Sequence, residues 1–593
     1  MLLFGNGKIL GGSVNMTDGK NPFGVNKTKR YVSDGAEKRL FDYYHIYNSG
    51  FLSLVDYMGG DATVERVATA GHGTRIFPEK PSTDDFINHI SSKKIIEPFK
   101  SVQLKFQIQA PIETALTLVY EPSASVNEYS GRYSVMLDTS YTPSVAELQK
   151  KMNGETAREV QYLLAKNRRD AVDNYKELIG IDMARELARS GLGIDNDTRF
   201  YWKMDLPSLA KFVETQRAKL DLSSHVRDYV EAIAEIASYV APISWEALLS
   251  NKKKNIKLPL PTDDEVVDGH LNPSSWSPEN TRRPTVHGLE EHLFKIKTFL
   301  NYGEFQVVDY MGEDSSFAQA ARTSYGEGTK TLQDDQHLVR SLIRDLHTSP
   351  IEMCELAMES KSPIFVDPRQ AGRHRTLDNH GFMGYMPIGS QFYIPPEEEL
   401  KYQDRKNRQG RGKEMDPEDK ITAIQLLKDT FNESLETAKA LRELGAPEDV
   451  VRRTKGVGNY TIRWRTGDSH NIGHFLMLRL DPHAQKEIRS LAQLVDEAHK
   501  LHTPTANEAL HTYIINGMRL SEKEIKLIRD KGYMNQEMDL DKLDNYTGVG
   551  FVIKKKDDEG KIMFDDNDEP VKELSREGNA FKGKLEKLLG RGK

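Results

Sequence analysis

The sequence predicts an α+β protein built from two tandem copies of one domain. Three observations carry that reading: a string that recurs about a domain length later, a strand-like alternation in the first copy, and long helical periodicities in both. The string Phe51–Asp61 (FLSLVDYMGGD) returns as Phe305–Asp314 (FQVVDYMGED), one residue shorter near its start and with identical VDYMG cores. Ala110-Pro111-Ile112 is echoed by Ser362-Pro363-Ile364. Ser224-His225 and the apolar stretch after it parallel Pro482-His483-Ala484-Gln485. Landmarks in the same order, a domain length apart, indicate duplication.

Ser101 to Ile108 alternates polar and apolar residues with period two, which predicts a half-buried strand. Asp416-Pro417 reads as a helix N-cap with proline at the first helical position. Ile421, Ile424, Leu427, Phe431, Leu435 and Leu441 then follow at helical spacing, and Gly445 ends the run. A comparable helix in the first copy runs through Val160, Leu164, Val172 and Leu178, and the apolar faces of both helices are expected in the core. These marks divide the chain into an N-terminal extension (1–45), copy 1 (46–250), a linker (251–288), copy 2 (289–520) and a charged C-terminal segment (521–593). The linker holds Lys252, Lys253 and Lys254 and five prolines, with few periodic apolar residues.

Over 593 residues, 29% are charged and 38% hydrophobic, as suits a soluble globular protein with substantial cores. A formal net charge of −7 argues against a general nucleic-acid coat or a membrane-surface protein, and no nucleic-acid partner is expected. No stretch approaches the roughly 20 apolar residues of a membrane span, and the N-terminus has no long apolar core of a leader peptide, so a cytoplasmic location is expected. The single cysteine, Cys354, excludes an intrachain disulfide framework and a cysteine-based zinc site. It lies in a partly apolar stretch and is expected to be a buried, inert thiol.

Two short strings carry chemistry. Copy 2 holds Arg369-Gln370-Ala371-Gly372-Arg373-His374-Arg375 directly after an apolar, strand-like stretch. Arginine forks suit phosphates and the carbonyl edges of flat heterocycles, although a solvated basic loop reads the same way. Copy 1 holds Ser125-Val126-Asn127-Glu128-Tyr129-Ser130-Gly131-Arg132-Tyr133-Ser134. Its backbone amides, Ser130 and Arg132 suit an anion; alone, the string is more simply a polar turn.

Together the two strings resemble the signature of the flavin-dependent thymidylate synthases, which carry Arg-Gln-x-x-Arg-His-Arg and Ser-x-Asn-Glu-x-Ser-x-Arg-Tyr-Ser in one uninterrupted stretch. The segment Asp468 to Ile488, with Arg479 preceding a His-Ala and a Glu-Ile, is similar to a later segment of that family. The resemblance covers roughly 45–250 and 300–515. Neither copy keeps the whole signature. Where copy 1 should carry the basic half it reads Leu116 to Pro122, without arginine; where copy 2 should carry the second half it reads Asp378 to Pro387, without the Glu, Ser and Arg. In the family the active site lies between subunits, one supplying the basic side and its partner the Glu-x-Ser-x-Arg side. The complementary losses therefore imply an intrachain pseudo-dimer of two family folds with one complete composite site.

The resemblance implies reductive methylation of dUMP to dTMP, with methylenetetrahydrofolate and NAD(P)H as co-substrates and FAD as cofactor. It implies Arg479 as the catalytic residue that stabilises charge on the pyrimidine, and Gln370, Arg373, Glu128, Tyr129, Ser130, Gly131, Arg132 and Arg189 as the nucleotide-binding set. Arg373, His374, Arg375, Glu128, Ser349, Ser324, Glu352, His470 and His474 are implied for FAD. At Arg479 copy 1 has Gln216 with Arg217 beside it, and Arg452 or Arg453 matches Arg189 in copy 2. Many relatives have Asn and Arg where this chain has Asp468 and His470. His470 and His474 also stand at a spacing that suits a metal on one helix face, but flavin-side packing is favoured and no metal is expected. The basic loop Arg405 to Lys413 is expected to be a solvated surface. The family is tetrameric, so two fused chains imply a homodimer. Two alternatives remain open: a pyrimidine-nucleotide enzyme that hydroxymethylates or acts on dCMP, and a non-catalytic nucleotide- or RNA-binding relative.

Overall fold

The computed structural model describes residues 24–70, 83–132, 134–219, 224–250, 277–322, 332–366, 376–380, 391–405, 411–517, 552–555, 561–564, 570 and 572–574. In the first repeat the strands are β1 (Asn26–Thr28), β2 (Tyr44–His45), β3 (Phe51–Met58), β4 (Gln103–Pro111), β5 (Ser125–Glu128) and β6 (Asp197–Asp205). In the second they are β7 (Glu279–Thr281), β8 (Lys297–Phe299), β9 (Gly303–Met311), β10 (Glu355–Pro363), β11 (Asp378–His380), β12 (Lys401–Gln403), β13 (Arg411–Glu414) and β14 (Tyr460–Asp468). Each repeat forms one five-stranded antiparallel sheet, in the order β2-β3-β4-β6-β5 and β8-β9-β10-β14-β11. The same connectivity twice in one chain is the duplication in three dimensions, and even the unusual backbone recurs: Phe41 and Phe294 both have positive φ (65° and 62°). The β12–β13 hairpin is paired only within the second repeat.

The alternating strand is present as β4, but it is buried on both faces, not half-buried. Of its polar residues, Lys105 turns to the other repeat and Gln109 bonds Ser49 and Arg199 of its own. Lys105 Nζ donates to the Met353 carbonyl (3.1 Å) and lies 3.7 Å from Asp56. The apolar cores interlock as well: Ala320 and Met353 of the second repeat pack in the first repeat's core, and Met58 and Val67 of the first pack in the second's.

The repeated VDYMG string builds this contact. The Gly59 amide donates to Asp309 Oδ2 (3.1 Å), and the Gly312 amide donates to Asp56 Oδ2 (2.9 Å). Both glycines have positive φ (72° and 77°), which a side chain would strain. The tyrosines each carry an arginine from the opposite repeat. Arg283 lies 4.1 Å over the Tyr57 ring and donates to its carbonyl, and Arg30 lies 3.9 Å over Tyr310 and does the same. These arginines sit on two short arms that cross, β1 pairing antiparallel with β7. The arms correct two expected boundaries: 24–45 and 277–288 are equivalent first elements of the repeats, not an extension and a linker. Their few apolar residues hide them from a periodicity search, because they are held by charged and hydrogen-bonded contacts.

The helix Pro417–Glu443 starts after Asp416, and Gly445 follows its C-cap with φ 75°. Its first-repeat counterpart is Gly154–Gly180. Neither is a core helix of the kind expected: Ile421 is 68% exposed, and Tyr162, Leu163 and Leu164 are exposed too. The expected pairing of His225 with His483 also shifts. Tyr141 packs on His225 (ring centroids 4.2 Å apart), while Tyr393 donates to Glu487 (3.0 Å), so Glu487 is the counterpart of His225.

In the second repeat's helix Lys486–His502, His499 and His502 are fully buried. His499 meets the Thr503 hydroxyl (3.0 Å) and His502 meets the Gly312 carbonyl (3.0 Å). Burial, reinforced at His499 by the neighbouring His502, lowers the pKa values to about 3 and about 4. In the unfolded chain they return to about 6.5. Below that pH the unfolded chain binds the extra protons, so this stability is whole above about pH 6.5 and is lost as the pH falls through the folded values. The expected result is a denaturation midpoint that drops between about pH 7.5 and about pH 4.5, with a shallower drop in His502→Asn. An unchanged slope in that variant would count against the assignment.

Residues 516–593 form a separate unit, in which Val552–Lys554 pairs antiparallel with Lys572–Leu574. Among the described residues, no helix is long and apolar enough to cross a membrane.

Candidate active site

The Glu-x-Ser-x-Arg string of the first repeat leaves β5 and turns. The Ser134 amide donates to the Ser130 carbonyl (3.1 Å), and the Arg132 amide donates to Ser130 Oγ (3.3 Å). A Cβ at Gly131 would lie 2.6 Å from Met136 Sδ and 2.9 Å from Arg189 Cδ, so either side chain would have to shift to admit one. Arg189, in the single turn Arg189–Gly191 after the helix Arg185–Ala188, is thereby pressed against the loop. Arg132, Arg185 and Arg189 thus surround one tight turn, an arrangement suited to a phosphate. The Arg132–Glu186 ion pair (3.2 Å) is mostly exposed and contributes little. Glu128 accepts from Thr198 Oγ1 (2.8 Å); burial raises its pKa, opposed by that bond and by Arg189. The Tyr129 hydroxyl is spent on the Val135 carbonyl.

The other edge of β5 meets the second repeat. Ser349 Oγ donates to Asn127 Oδ1 (3.0 Å), and Asn127 Nδ2 donates to the Ala320 carbonyl (2.6 Å). Glu352, in the same turn as Ser349, is hydrogen-bonded to Ser125. Burial, then Asp468, raises the Glu352 pKa, while Lys203, Ser125 and His470 oppose the rise. Lys203 of β6 donates to Glu355 of β10. Ser349 and Glu352 are therefore brought by the fold to the strand that carries Glu128, with His470 near Glu352.

At the equivalent place on the opposite side the chemistry is gone. β11 pairs with β14 as β5 pairs with β6, so His380 stands where Asn127 stands. His380 is buried, bonded to Thr466 Oγ1 (2.7 Å), and burial lowers its pKa to about 3. The first-repeat positions expected to match the basic half fall largely in a helix, Ile112–Val119, with Thr114, Ala115 and Leu118 buried. Leu118 is fully enclosed, a burial worth about 1.5–3 kcal/mol. Its carbonyl accepts from the Trp202 indole (3.1 Å). An arginine side chain would lose that packing.

Asp468 is the N-cap of the helix Ser469–Arg479, accepting from the Asn471 amide (2.8 Å) and side chain (2.8 Å). Asp205 caps the equivalent helix Leu206–Arg217 in the same way. Capping therefore explains the Asp at 468. The Ser469 hydroxyl, buried beside His470, has no hydrogen-bond partner among the described residues, an unspent polar group on the side expected to hold a flavin. His474 is on the next turn, and Arg479 is half-buried in the last turn. Its counterpart Gln216 is buried, and the neighbouring Arg217 is engaged with Glu231 at the surface, so neither replaces it. Ser324 and the whole segment Arg369–Arg375, including Gln370, Arg373, His374 and Arg375, lie outside the described residues. Of the basic loop, Arg411 bonds Glu487 and Glu399 and is structural; 406–410 lie outside the described residues. Cys354 is buried, its Sγ donates to the Glu313 carbonyl (3.2 Å), and burial pushes its pKa up, as expected of an inert thiol. Sequence reading missed Asn127 and Arg185 as site residues, although Asn127 stands inside the quoted motif. It also missed Lys203, whose only signal is that it differs from Thr466.

The family described as thymidylate synthase complementing protein matches residues 53–243 and again 306–505. The flavin-dependent thymidylate synthase of Ruegeria pomeroyi is 36% identical over 42% of this chain and 84% of its own length. That of Wolbachia pipientis is 36% identical over 42% of this chain and 88% of its own. A solved structure described as a UMP/dUMP methylase PolB from Streptomyces cacaoi bound with 5-Br UMP aligns over 37% of this chain and 98% of that chain, at 26% identity and a TM-score of 0.33. With two matched regions, one sheet topology repeated and the cores interlocked, the chain belongs to the flavin-dependent thymidylate synthase family as a tandem duplication.

Proposed function

We propose that the chain converts dUMP to dTMP by FAD-dependent reductive methylation, using methylenetetrahydrofolate and NAD(P)H, at one composite site between its repeats. The observation that carries this reading is the Ser349–Asn127 hydrogen bond, which joins the flavin-side turn of the second repeat to the Glu128 strand of the first. The polar groups of Ser349, Glu352, Ser469 and His470 fit a flavin. FAD, reduced by NAD(P)H, supplies the hydride when bound. Ser130, Gly131, Arg132 and Arg189 hold the nucleotide phosphate, joined by Gln370 and Arg373; Arg373, His374, Arg375, Glu352, Ser349, Ser324, His470 and His474 hold FAD. Glu128 stands at the junction, and Arg479 stabilises negative charge on the pyrimidine so that its C5 carbon attacks. The exposed apolar residues of Gly154–Gly180 and Pro417–Glu443, such as Tyr162, Leu163 and Leu426, support a homodimer through these helices.

Purified protein given FAD is expected to show a bound-flavin absorbance band and, with dUMP and the co-substrates, to yield dTMP by mass spectrometry. No band after FAD addition sinks the reading, and a product from dCMP but not dUMP redirects it to the other nucleotide. Sedimentation of an active monomer would refute the dimer.

A further inference from the structure

The two interface places are equivalent by strand register, yet their charges differ. Lys203 pairs with Ser125 in β5–β6, as Thr466 pairs with Asp378 in β11–β14. Glu355 pairs with Asp468 in β10–β14, as Gln103 pairs with Asp205 in β4–β6. One place thus carries a lysine of the first repeat against a glutamate of the second; the other carries threonine and glutamine. Lys203 and Glu355 are both about 5% exposed or less and joined by a direct ion pair. A buried charge of this kind persists only when paired.

The pair stands beside the groups assigned above to the flavin. Glu352, hydrogen-bonded to Ser125, and Asp468, the cap before His470, both act on Lys203. We propose that Lys203 is a positioning residue of the composite site, its ammonium set against the Glu355, Glu352 and Asp468 carboxyl groups of the second repeat so that Glu352 keeps its place at the first repeat's β5 edge and the pocket accepts an anionic cofactor. This rests on the functional reading above. Without the lysine, three carboxylates would face one another in a buried space, and the dinucleotide's own negative charge would add to theirs. Burial works against the Lys203 charge, but Glu355, Asp468 and Glu352 outweigh it and keep its pKa above the ordinary value. The other groups facing the cluster are Asp378 from β11, His470, Lys100 beside Asp378, and Lys105, which stands opposite Lys203 across β4–β6. None replaces Lys203: Asp378 adds negative charge, Lys100 stands on the opposite place, beside Asp205 and His380, and Lys105 is held by Asp56 and the Met353 carbonyl.

The test is FAD titration of the full chain, followed by flavin absorbance, at about pH 8 and about pH 6. Lys203→Met is expected to weaken FAD binding at least about tenfold at the higher pH and less at the lower, where protons neutralise the carboxylates in the lysine's place. Lys203→Arg and the double variant Lys203→Met/Glu355→Gln, which removes one carboxylate with the cation, are expected to recover most of the affinity. A merely structural lysine would give the same loss at both pH values and no recovery in the double variant. That result, or wild-type affinity in folded Lys203→Met, overturns the proposal. Should Lys203→Met not fold, the double variant decides: affinity near wild type supports the proposal, and a pH-independent loss of about tenfold or more overturns it. If the wild-type chain takes up no FAD, the functional reading falls and this proposal with it; if only the variants behave alike, this proposal falls alone.

Discussion

Alanine at Arg189 is expected to lower kcat/KM for dTMP formation by about 10²–10³-fold, while alanine at Arg452 leaves it within about threefold. The two residues begin equivalent single turns, Arg189–Gly191 and Arg452–Thr454. The first turn packs against a Ser-Gly-Arg loop, where Arg189 fills the space a Gly131 side chain would need. In a symmetric enzyme both arginines would serve, one per site. The second repeat's matching string, Asp378 to Pro387, lacks the Glu, Ser and Arg. Arg132→Ala and Arg373→Ala, made singly in the full chain, are expected to abolish the same activity although they lie in different repeats. Wild-type turnover in any of the three variants, or equal losses for Arg189 and Arg452, would contradict a single composite site.

Replacing Arg30 or Arg283 with methionine is expected to cost about 3–5 kcal/mol of stability, read as a fall in the denaturation midpoint. Each guanidinium is fully buried, lies over a tyrosine ring of the opposite repeat and donates to two carbonyls of that repeat: Arg30 to Tyr310 and Pro284, Arg283 to Tyr57 and Tyr31. Removing one leaves those carbonyls unpaired and strips Glu290 or Glu37 of its counter-charge. Because the two arms are equivalent, the losses should be similar in size. A surface pair such as Arg132–Glu186 gives the control, with an expected change under about 1 kcal/mol. A small effect at both buried arginines would mean that the repeats are held mainly by their interlocked apolar cores.

Much of this protein was legible in its residues. The VDYMG strings announced the duplication, Asp416-Pro417 and Gly445 bounded a helix within a residue or two, and the two half-signatures named the family. Those features are local: a cap, a turn or a contact motif needs its residue types at fixed spacing wherever the chain later packs. Periodicity served less well where polar residues were buried. β4 reads as half-exposed because Gln103, Lys105 and Gln107 look like a solvated face, and the crossing arms read as extension and linker because they bury arginines instead of leucines. The exposed leucines of the long helices misled in the opposite direction.

The chain by itself therefore determined the tandem repeat, the family and the split of the catalytic signature. Which side chains meet across the repeats was decided only in three dimensions: Ser349 meets Asn127 of the first repeat, while His380, at the place equivalent to Asn127, is bonded to Thr466 of its own repeat. The physical reason is that these partners are brought together by sheet register and by the contact between repeats. Lys203 shows it most clearly: an unremarked lysine in a strand becomes the counter-charge of Glu355 only once the first repeat's sheet is laid against the second's.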